Sequence, residues 1–465
     1  MEPTDPALMS AEELLDLFAR RVLTPLDALA AVRERIERYN PLLNAFVVMN
    51  PAAEEAAEES TRRWQAGRPL GLIDGVPCTV KDLIDLAGFP TRRGSHLTSA
   101  DPVAEDSPVS LALKSAGAVI LGKTTTSEFG WKGPGDCPLT GITRNPWNPR
   151  HTSGGSSAGA AAATAAGFGP LHVGTDGGGS IRVPAAICGV VGLKPSFGRV
   201  PQWPAGAFAS VAVAGPLARS VRDAALLLSV IARFDHRDPY ALPDDPRDWR
   251  AGIEEGVAGM RVALLTSHGF AAPLDATSRE TLTHAAHLLA KAGAIVEEVD
   301  PDLPDTREIF GRLWGAANAR LVASFPETRR RLLDPGLIEV AASLDTMTAT
   351  EFLDNESERL KVAHAMARLH RRYDLALCPT VPIRAPLADA PTTDPLDALW
   401  QVWAPWTFTF NLSRQPAISV PLGTDDTGLP RSVQIAASLY RDDLVLRAAR
   451  AIEHLSDPLG CATPE

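Results

Sequence analysis

The segment Gly174-Thr175-Asp176-Gly177-Gly178-Gly179-Ser180-Ile181-Arg182 sets three glycines directly before a serine hydroxyl. Glycine tolerates positive φ and carries no Cβ, so successive N–H groups can turn toward one point and hold negative charge by backbone dipoles alone. That suits a nucleophile beside its own oxyanion hole. It suits a surface turn or an anion-binding cradle equally well, and the loop by itself does not decide. The candidate base is Lys81, which ends the apolar run Gly75-Val76-Pro77-Cys78-Thr79-Val80. Only seven of the 45 basic residues are lysine, so arginine is the default cation here and a lysine at the end of a buried strand stands out. A second serine segment, Gly154-Gly155-Ser156-Ser157, repeats the glycine-serine context.

Other chemistries fit less well. Gly155-Ser156-Ser157-Ala158-Gly159 matches the G-x-S-x-G elbow, which requires a strand just before it. The preceding Asn145-Pro146-Trp147-Asn148-Pro149 cannot form a central strand, because proline lacks a donor and restricts its predecessor. No lysine has a serine three positions before it, which removes an S-x-x-K site. Gly174 to Ser180 fits neither nucleotide-binding glycine pattern, which weakens a non-enzymatic anion-binding module. Of the ten histidines, His284, His287, His364 and His370 fall in charged amphipathic helices and read as structural.

Lys81 stands 75 residues before Ser156, and Ser156 stands 24 before Ser180. With both glycine-serine contexts, that spacing resembles the amidase signature family of Ser-Ser-Lys hydrolases. The likeness spans nearly the whole chain and is densest over a core of about 75–216. Gly122-Lys123-Thr124, Gly192-Leu193-Lys194-Pro195-Ser196-Phe197-Gly198-Arg199-Val200 and Cys378-Pro379-Thr380 are similar to family landmarks. The resemblance implies Ser180 as nucleophile and acyl carrier, Ser156 as proton relay and Lys81 as base. It also implies the N–H groups of Gly177, Gly178, Gly179 and Ser180 as oxyanion hole, a cis peptide bond before Ser156, and no metal or organic cofactor. Lys81 must then be neutral, with its free pKa of about 10.4 lowered by burial and, if it comes close, by like-charge repulsion from Arg182. Ser157, Thr175 and Asp176 read either as orienting groups around the centre or as simple turn chemistry. Lys123 and Lys194 read as structural.

These residues need a scaffold. The chain of 465 residues is 45% hydrophobic and 22% charged, with no linker or low-complexity tract, which predicts one large α/β domain over 1–465. The resemblance adds a mixed β-sheet covered by helices on both faces. Short apolar runs at 45–48, 75–81, 116–122, 171–175 and 190–193 read as strands, and 133–156 as loop. Ser10-Ala11-Glu12-Glu13 predicts a capped N-terminal helix, followed by a second one from Pro25 to Tyr39 that ends at Asn40-Pro41. Residues 260–265, 279–292 and 294–299 read as a parallel strand-helix-strand crossover, 305–372 as mostly helical, and 374–379, 416–421 and 431–437 as late strands before a helix over 443–454.

A net charge of −11 with no basic cluster argues against nucleic acid as partner. Five scattered cysteines without a C-x-x-C pair read as reduced thiols. No apolar run reaches the length of a membrane span and no secretory signal is visible, so the expectation is a cytoplasmic protein, with a homodimer left open. The expected partner is a small amide or carbamate. The family likeness points to hydrolysis of linear C–N bonds, with ester hydrolysis as a side activity and substrate shaped by the loop at 132–148 and the region at about 305–410. Trp131, Trp147, Trp203, Trp314, Trp400, Trp403 and Trp406 in or beside these regions suggest an aromatic-lined pocket suited to aryl amides, anilides or urethanes. The alternative is the glutaminase component of a tRNA-dependent amidotransferase. The tyrosine-rich segment usual in that component has no counterpart here, where the only tyrosines are Tyr39, Tyr240, Tyr373 and Tyr440.

Overall fold

A computed structural model describes residues 5–208, 210–266, 268, 274–344, 346–389 and 404–464. Thirteen strands occur among them: β1 (Phe46–Met49), β2 (Pro77–Lys81), β3 (Val119–Thr124), β4 (Asp136–Cys137), β5 (Gly141–Ile142), β6 (Leu171–Asp176), β7 (Val191–Lys194), β8 (Val213–Ala218), β9 (Arg261–Leu264), β10 (Ile295–Glu298), β11 (Leu375–Pro379), β12 (Ala417–Thr424) and β13 (Pro430–Ala437). Eleven of them form one mixed sheet in the order β1-β3-β2-β6-β8-β7-β12-β13-β11-β9-β10, while β4 and β5 make a small ribbon. Fourteen α-helices accompany the sheet among the described residues. The Val221–Ile231 helix packs on β8, the Asp442–Leu455 helix on β12 and β13, and the Ala276–Lys291 helix on β11 and β13. This is the α/β architecture expected from the alternating pattern.

The middle of the sheet positions the chemistry. β2 and β6 are parallel neighbours, with Cys78 opposite Leu171 and Val80 opposite Val173, so their C-terminal ends emerge at the same edge. Lys81 closes β2 and Asp176 closes β6. Every residue of β2 is buried, as is typical for a parallel strand covered on both faces, and its run of apolar side chains reflects that. The Ala158–Ala165 helix, buried throughout, begins just after the second serine segment and packs on β6. Its alanines and Gly159 let it approach closely, and a Cβ at Gly159 would meet Thr125 N at 2.5 Å.

One local reading needs correction, and two elements went unread. The second helix runs Pro25–Leu43, through Pro41, and ends at Asn44 in the left-handed region (φ 55°) rather than at Asn40. A proline in the last turn interrupts little, because few helical bonds remain to be lost there. β8 is a strand that the Gly215-Pro216 pair concealed; it pairs antiparallel with both β6 and β7. The Pro405–Leu412 helix was likewise not anticipated.

Candidate active site

Lys81, Ser156 and Ser180 come together, each nearly inaccessible at 0%, 1% and 2% exposure. Lys81 Nζ lies 2.7 Å from Ser156 Oγ, 3.0 Å from Ser157 Oγ and 3.0 Å from Thr175 Oγ1. Ser157 is held on its far side: its hydroxyl donates to Thr175 O (3.1 Å) and accepts the Thr175 N–H (3.2 Å). Gly174 makes this approach feasible, since a Cβ there would lie 2.7 Å from Ser157 Oγ. The Ser157 N–H donates to Ser180 O (3.1 Å), tying the two serine segments together. The Gly155–Ser156 peptide is cis. Among the described residues the Ser180 hydroxyl has no hydrogen-bond partner, and it faces neither Ser156 nor Lys81 at bonding distance.

Burial pushes the Lys81 amine well below its ordinary value, and the Asp176 carboxylate opposes that shift. The anticipated push from Arg182 is absent, because the guanidinium is fully engaged with counter-charge. Its Nε and Nη2 bind the two Asp176 oxygens at 2.9 Å each. Its remaining donors reach Thr407 O (3.1 Å), Gln434 Oε1 (2.6 Å) and Asn411 Oδ1 (2.5 Å). Burial by itself would raise the Asp176 carboxyl, yet Arg182, with Lys194 and Asn411, holds it well below the usual carboxylate range. Arg182 and Asp176 thus form a fully hydrogen-bonded buried pair, and of the two only the carboxylate acts on Lys81, by favouring its charged form.

That pair shapes the glycine loop and changes its donor set. Asp176 Oδ1 accepts the Gly179 N–H at 2.7 Å, and Oδ2 accepts the Ile181 N–H at 3.2 Å. Gly179 is therefore committed to the carboxylate and is not a free oxyanion donor as expected; its φ of +120° shows why glycine stands there. Gly177, Gly178 and Ser180 keep N–H groups without an acceptor among the described residues. Thr407 braces the loop from outside, its hydroxyl lying 2.7 Å from Gly178 O. Asn411 Nδ2 adds bonds to Asp176 O (3.2 Å) and Oδ1 (3.0 Å).

Thr407, Asn411 and Gln434 escaped the sequence reading. Their one signal is polarity in otherwise apolar surroundings: Thr407 and Asn411 punctuate Pro405-Trp406-Thr407-Phe408-Thr409-Phe410-Asn411-Leu412, all of it buried. Lys123 and Lys194, read as structural, engage elsewhere. Lys123 pairs with buried Asp82 at 2.9 Å, and Lys194 donates to Pro195 O, with burial pulling its amine down to about 7. Ser157 follows a loop segment rather than a strand, so it is no nucleophile elbow.

An aromatic column flanks the loop. Phe408 stacks on Phe310 (4.1 Å), Phe310 on Trp314 (5.2 Å) and Trp314 on Phe208 (3.6 Å). A Cβ on Gly177 would sit 3.4 Å from the Trp314 ring and 3.7 Å from Phe208 Cβ. Trp131 joins this wall through its carbonyl, which accepts from Trp314 Nε1 at 2.9 Å. Trp147 instead donates to Cys188 O, Trp203 packs under Arg237, and Trp406 packs on His268. Trp400 and Trp403 lie outside the described residues. Among the described residues no group of three or more His, Cys, Asp or Glu side chains gathers as a metal site, and no helix is long and apolar enough to cross a membrane.

Comparison with known proteins gives this geometry a family. The amidase family matches residues 27–446. An acylamidase of Rhodococcus erythropolis is 36% identical over 459 residues, covering 96% of this chain and 95% of the relative. A glutamyl-tRNA(Gln) amidotransferase subunit of Chloroflexus aurantiacus is 32% identical over 467 residues, covering 94% of each. The crystal structure of a bacterial aryl acylamidase superposes with a TM-score of 0.88 at 29% identity, covering 96% of both chains. On these likenesses the chain belongs to the amidase signature family of hydrolases that act on amide bonds.

Proposed function

We propose that this protein is a stand-alone amidase that cleaves linear amides through an acyl-enzyme on Ser180, with aryl amides as its preferred class. The observation that carries the catalytic reading is the hydroxyl cage around a desolvated Lys81. A neutral lysine amine has two N–H donors and one lone pair. Ser157 spends its own proton on Thr175 O, so toward Lys81 it can only accept; Thr175 Oγ1 lies at the same distance. With both N–H groups directed there, the lone pair points at the Ser156 hydroxyl, 2.7 Å away. Ser156 then passes its own proton to the Lys81 amine as it takes the Ser180 proton and Ser180 Oγ attacks the amide carbon, and the developing oxyanion meets the N–H groups of Gly177, Gly178 and Ser180. Collapse of the tetrahedral adduct breaks the C–N bond while Ser156 returns a proton to the departing amine. Water, activated through the same chain, releases the acid and restores Ser180. Esters would follow the same path with an alcohol as leaving group.

The Trp314–Phe208 face beside Gly177 supports a flat apolar group near the reacting carbon, as does the likeness to an aryl acylamidase. The likeness to a glutamyl-tRNA(Gln) amidotransferase keeps glutamine as the second reading. A panel of anilides, urethanes, aliphatic amides and glutamine, run with the purified chain and its Ser180→Ala variant, separates them. The proposal expects anilides to turn over fastest without any partner, and no turnover by Ser180→Ala. A preference for glutamine or short aliphatic amides would remove the aryl reading, and full activity in Ser180→Ala would remove the mechanism.

A further inference from the structure

The backbone turn Phe129-Gly130-Trp131 lies directly on the serine assigned to the relay. A Cβ on Gly130 would sit 3.1 Å from Ser156 Oγ. The same loop presses on the residue before it, since a Cβ on Gly155 would sit 2.9 Å from both Pro134 O and Ser127 Oγ. The place of the loop therefore limits the place of Ser156. The turn itself is strained: Phe129 has φ 52° and ψ 10°, a left-handed conformation that a bulky side chain adopts only where its surroundings impose it.

One residue, 202 positions beyond Lys132, grips both ends of this turn. The Asp334 N–H donates to Glu128 Oε2 at 2.6 Å, and Asp334 Oδ2 accepts from Lys132 Nζ at 2.7 Å. Its other oxygen, Oδ1, accepts the Gly336 N–H at 3.0 Å and caps the Pro335–Ala342 helix. Glu128, Lys132 and Asp334 are all buried, so these charge-assisted bonds are little screened. Lys132 Nζ also holds Asp136 Oδ2 at 2.6 Å. Burial pulls the Lys132 amine down, but the Asp136 and Asp334 carboxylates outweigh it and keep the amine charged. The helix behind Asp334 fits the turn as well, because a Cβ on Gly336 would lie 2.6 Å from the Trp131 ring.

We propose that Asp334 is a positioning residue for the proton relay: by gripping Glu128 and Lys132 it seats Gly130 against Ser156 and keeps the Ser156 hydroxyl on Lys81 Nζ. The inference rests on the amidase reading, since Asp334 acts here only through the proton transfers of Ser156.

The test follows the rate at which phenylmethylsulfonyl fluoride labels Ser180, read by mass spectrometry of the intact chain, beside kcat and KM on an anilide. Labelling needs an activated Ser180 but little substrate recognition. Its endpoint counts competent sites, and its rate constant reads their activation. Asp334→Asn keeps the N–H for Glu128 and an oxygen for Gly336 while removing the ion pair. The labelling rate constant and kcat should each fall about tenfold, with KM moving less than about twofold, as for a small misplacement of a reacting group. Lys132→Met should act alike, and combining it with Asp334→Asn should cost no more than either alone. Lys132→Arg should restore most of the rate, because a guanidinium can bridge both carboxylates. A lowered Tm with unchanged rate constants in Asp334→Asn, a loss confined to KM, or a Lys132→Arg protein as slow as Lys132→Met would each overturn the proposal. If the unaltered chain takes no label on Ser180, the amidase reading fails and this inference with it; if it is labelled and Asp334→Asn keeps pace, only the inference fails.

Discussion

Replacing Asn411 by leucine tests whether the buried polar clamp does more than hold the fold. The amide accepts from Arg182 Nη2 at 2.5 Å and donates to Asp176 Oδ1 at 3.0 Å, so two bonds to charged partners are lost at once. Hydrogen bonds to charged groups contribute about 1.5–3 kcal/mol each, giving a gross loss of roughly 3–6 kcal/mol. Leucine of similar volume recovers about 1–2 kcal/mol by apolar burial, leaving a net destabilisation of roughly 2–4 kcal/mol. A domain with ordinary stability of about 5–15 kcal/mol survives that and stays folded. The catalytic effect has a different ceiling. Asp176 fixes Gly179 and Ile181 by their N–H groups, so a loosened carboxylate lets the flanking donors drift from the oxyanion. Loss of one such donor costs about 10²–10³ in kcat, and partial drift should cost about 10² while KM moves less than about twofold. Steady-state kinetics on an anilide and a thermal melt measure the two effects separately. A folded Asn411→Leu protein with a lowered Tm and unchanged kcat would refute the positioning role and leave the clamp purely structural.

Two further outcomes follow from titration and burial. Because burial depresses Lys81, kcat/KM should fall on the acid side as the amine gains a proton and loses its lone pair, and Lys81→Met should abolish turnover at every pH. Between its depressed folded value and the ordinary 10.5, unfolded Lys81 binds a proton that the folded state does not, so stability rises with pH across that window. Lys81→Met should flatten that rise in pH-dependent melts without erasing it, since Lys194, at about 7 in the fold, contributes with the same sign; a steeper rise would contradict the assignment. Four of the five cysteines are buried, and burial pushes the Cys78 and Cys378 thiols up to about 12. A thiol reagent should therefore titrate Cys461 alone in the native protein and all five after denaturation. Two or more fast thiols in the native state would count against this packing.

The proximity of Lys81, Ser156 and Ser180 was legible because each carries a local signature. A lysine ending an apolar strand, and serines after glycine runs, state their chemistry within a few residues, and β2 and β6 needed only short apolar runs to be found. What stayed hidden depends on distance. Gln434 reaches Arg182 across 252 positions and Asn411 across 229, and nothing near either residue in the chain announces that contact. The same distance misled the reading of Arg182, whose charge looked available until its partners were in place. Gly179 was misassigned for a subtler reason: a glycine run advertises free N–H groups, and only the fold shows that Asp176 has already taken one. At β8, the glycine and proline that usually punctuate a chain lie inside a strand, where paired neighbours on both sides override local preference.

The clamp also gives the centre an order of assembly. Lys81, Ser156 and Ser180 leave the ribosome long before the Pro405–Leu412 helix and β13 exist. Until those late segments arrive, Arg182 lacks three of its acceptors and the glycine loop lacks its brace. A nascent chain would thus hold every reactive group and still be idle, becoming an enzyme only as its final strands and helix close over the sheet.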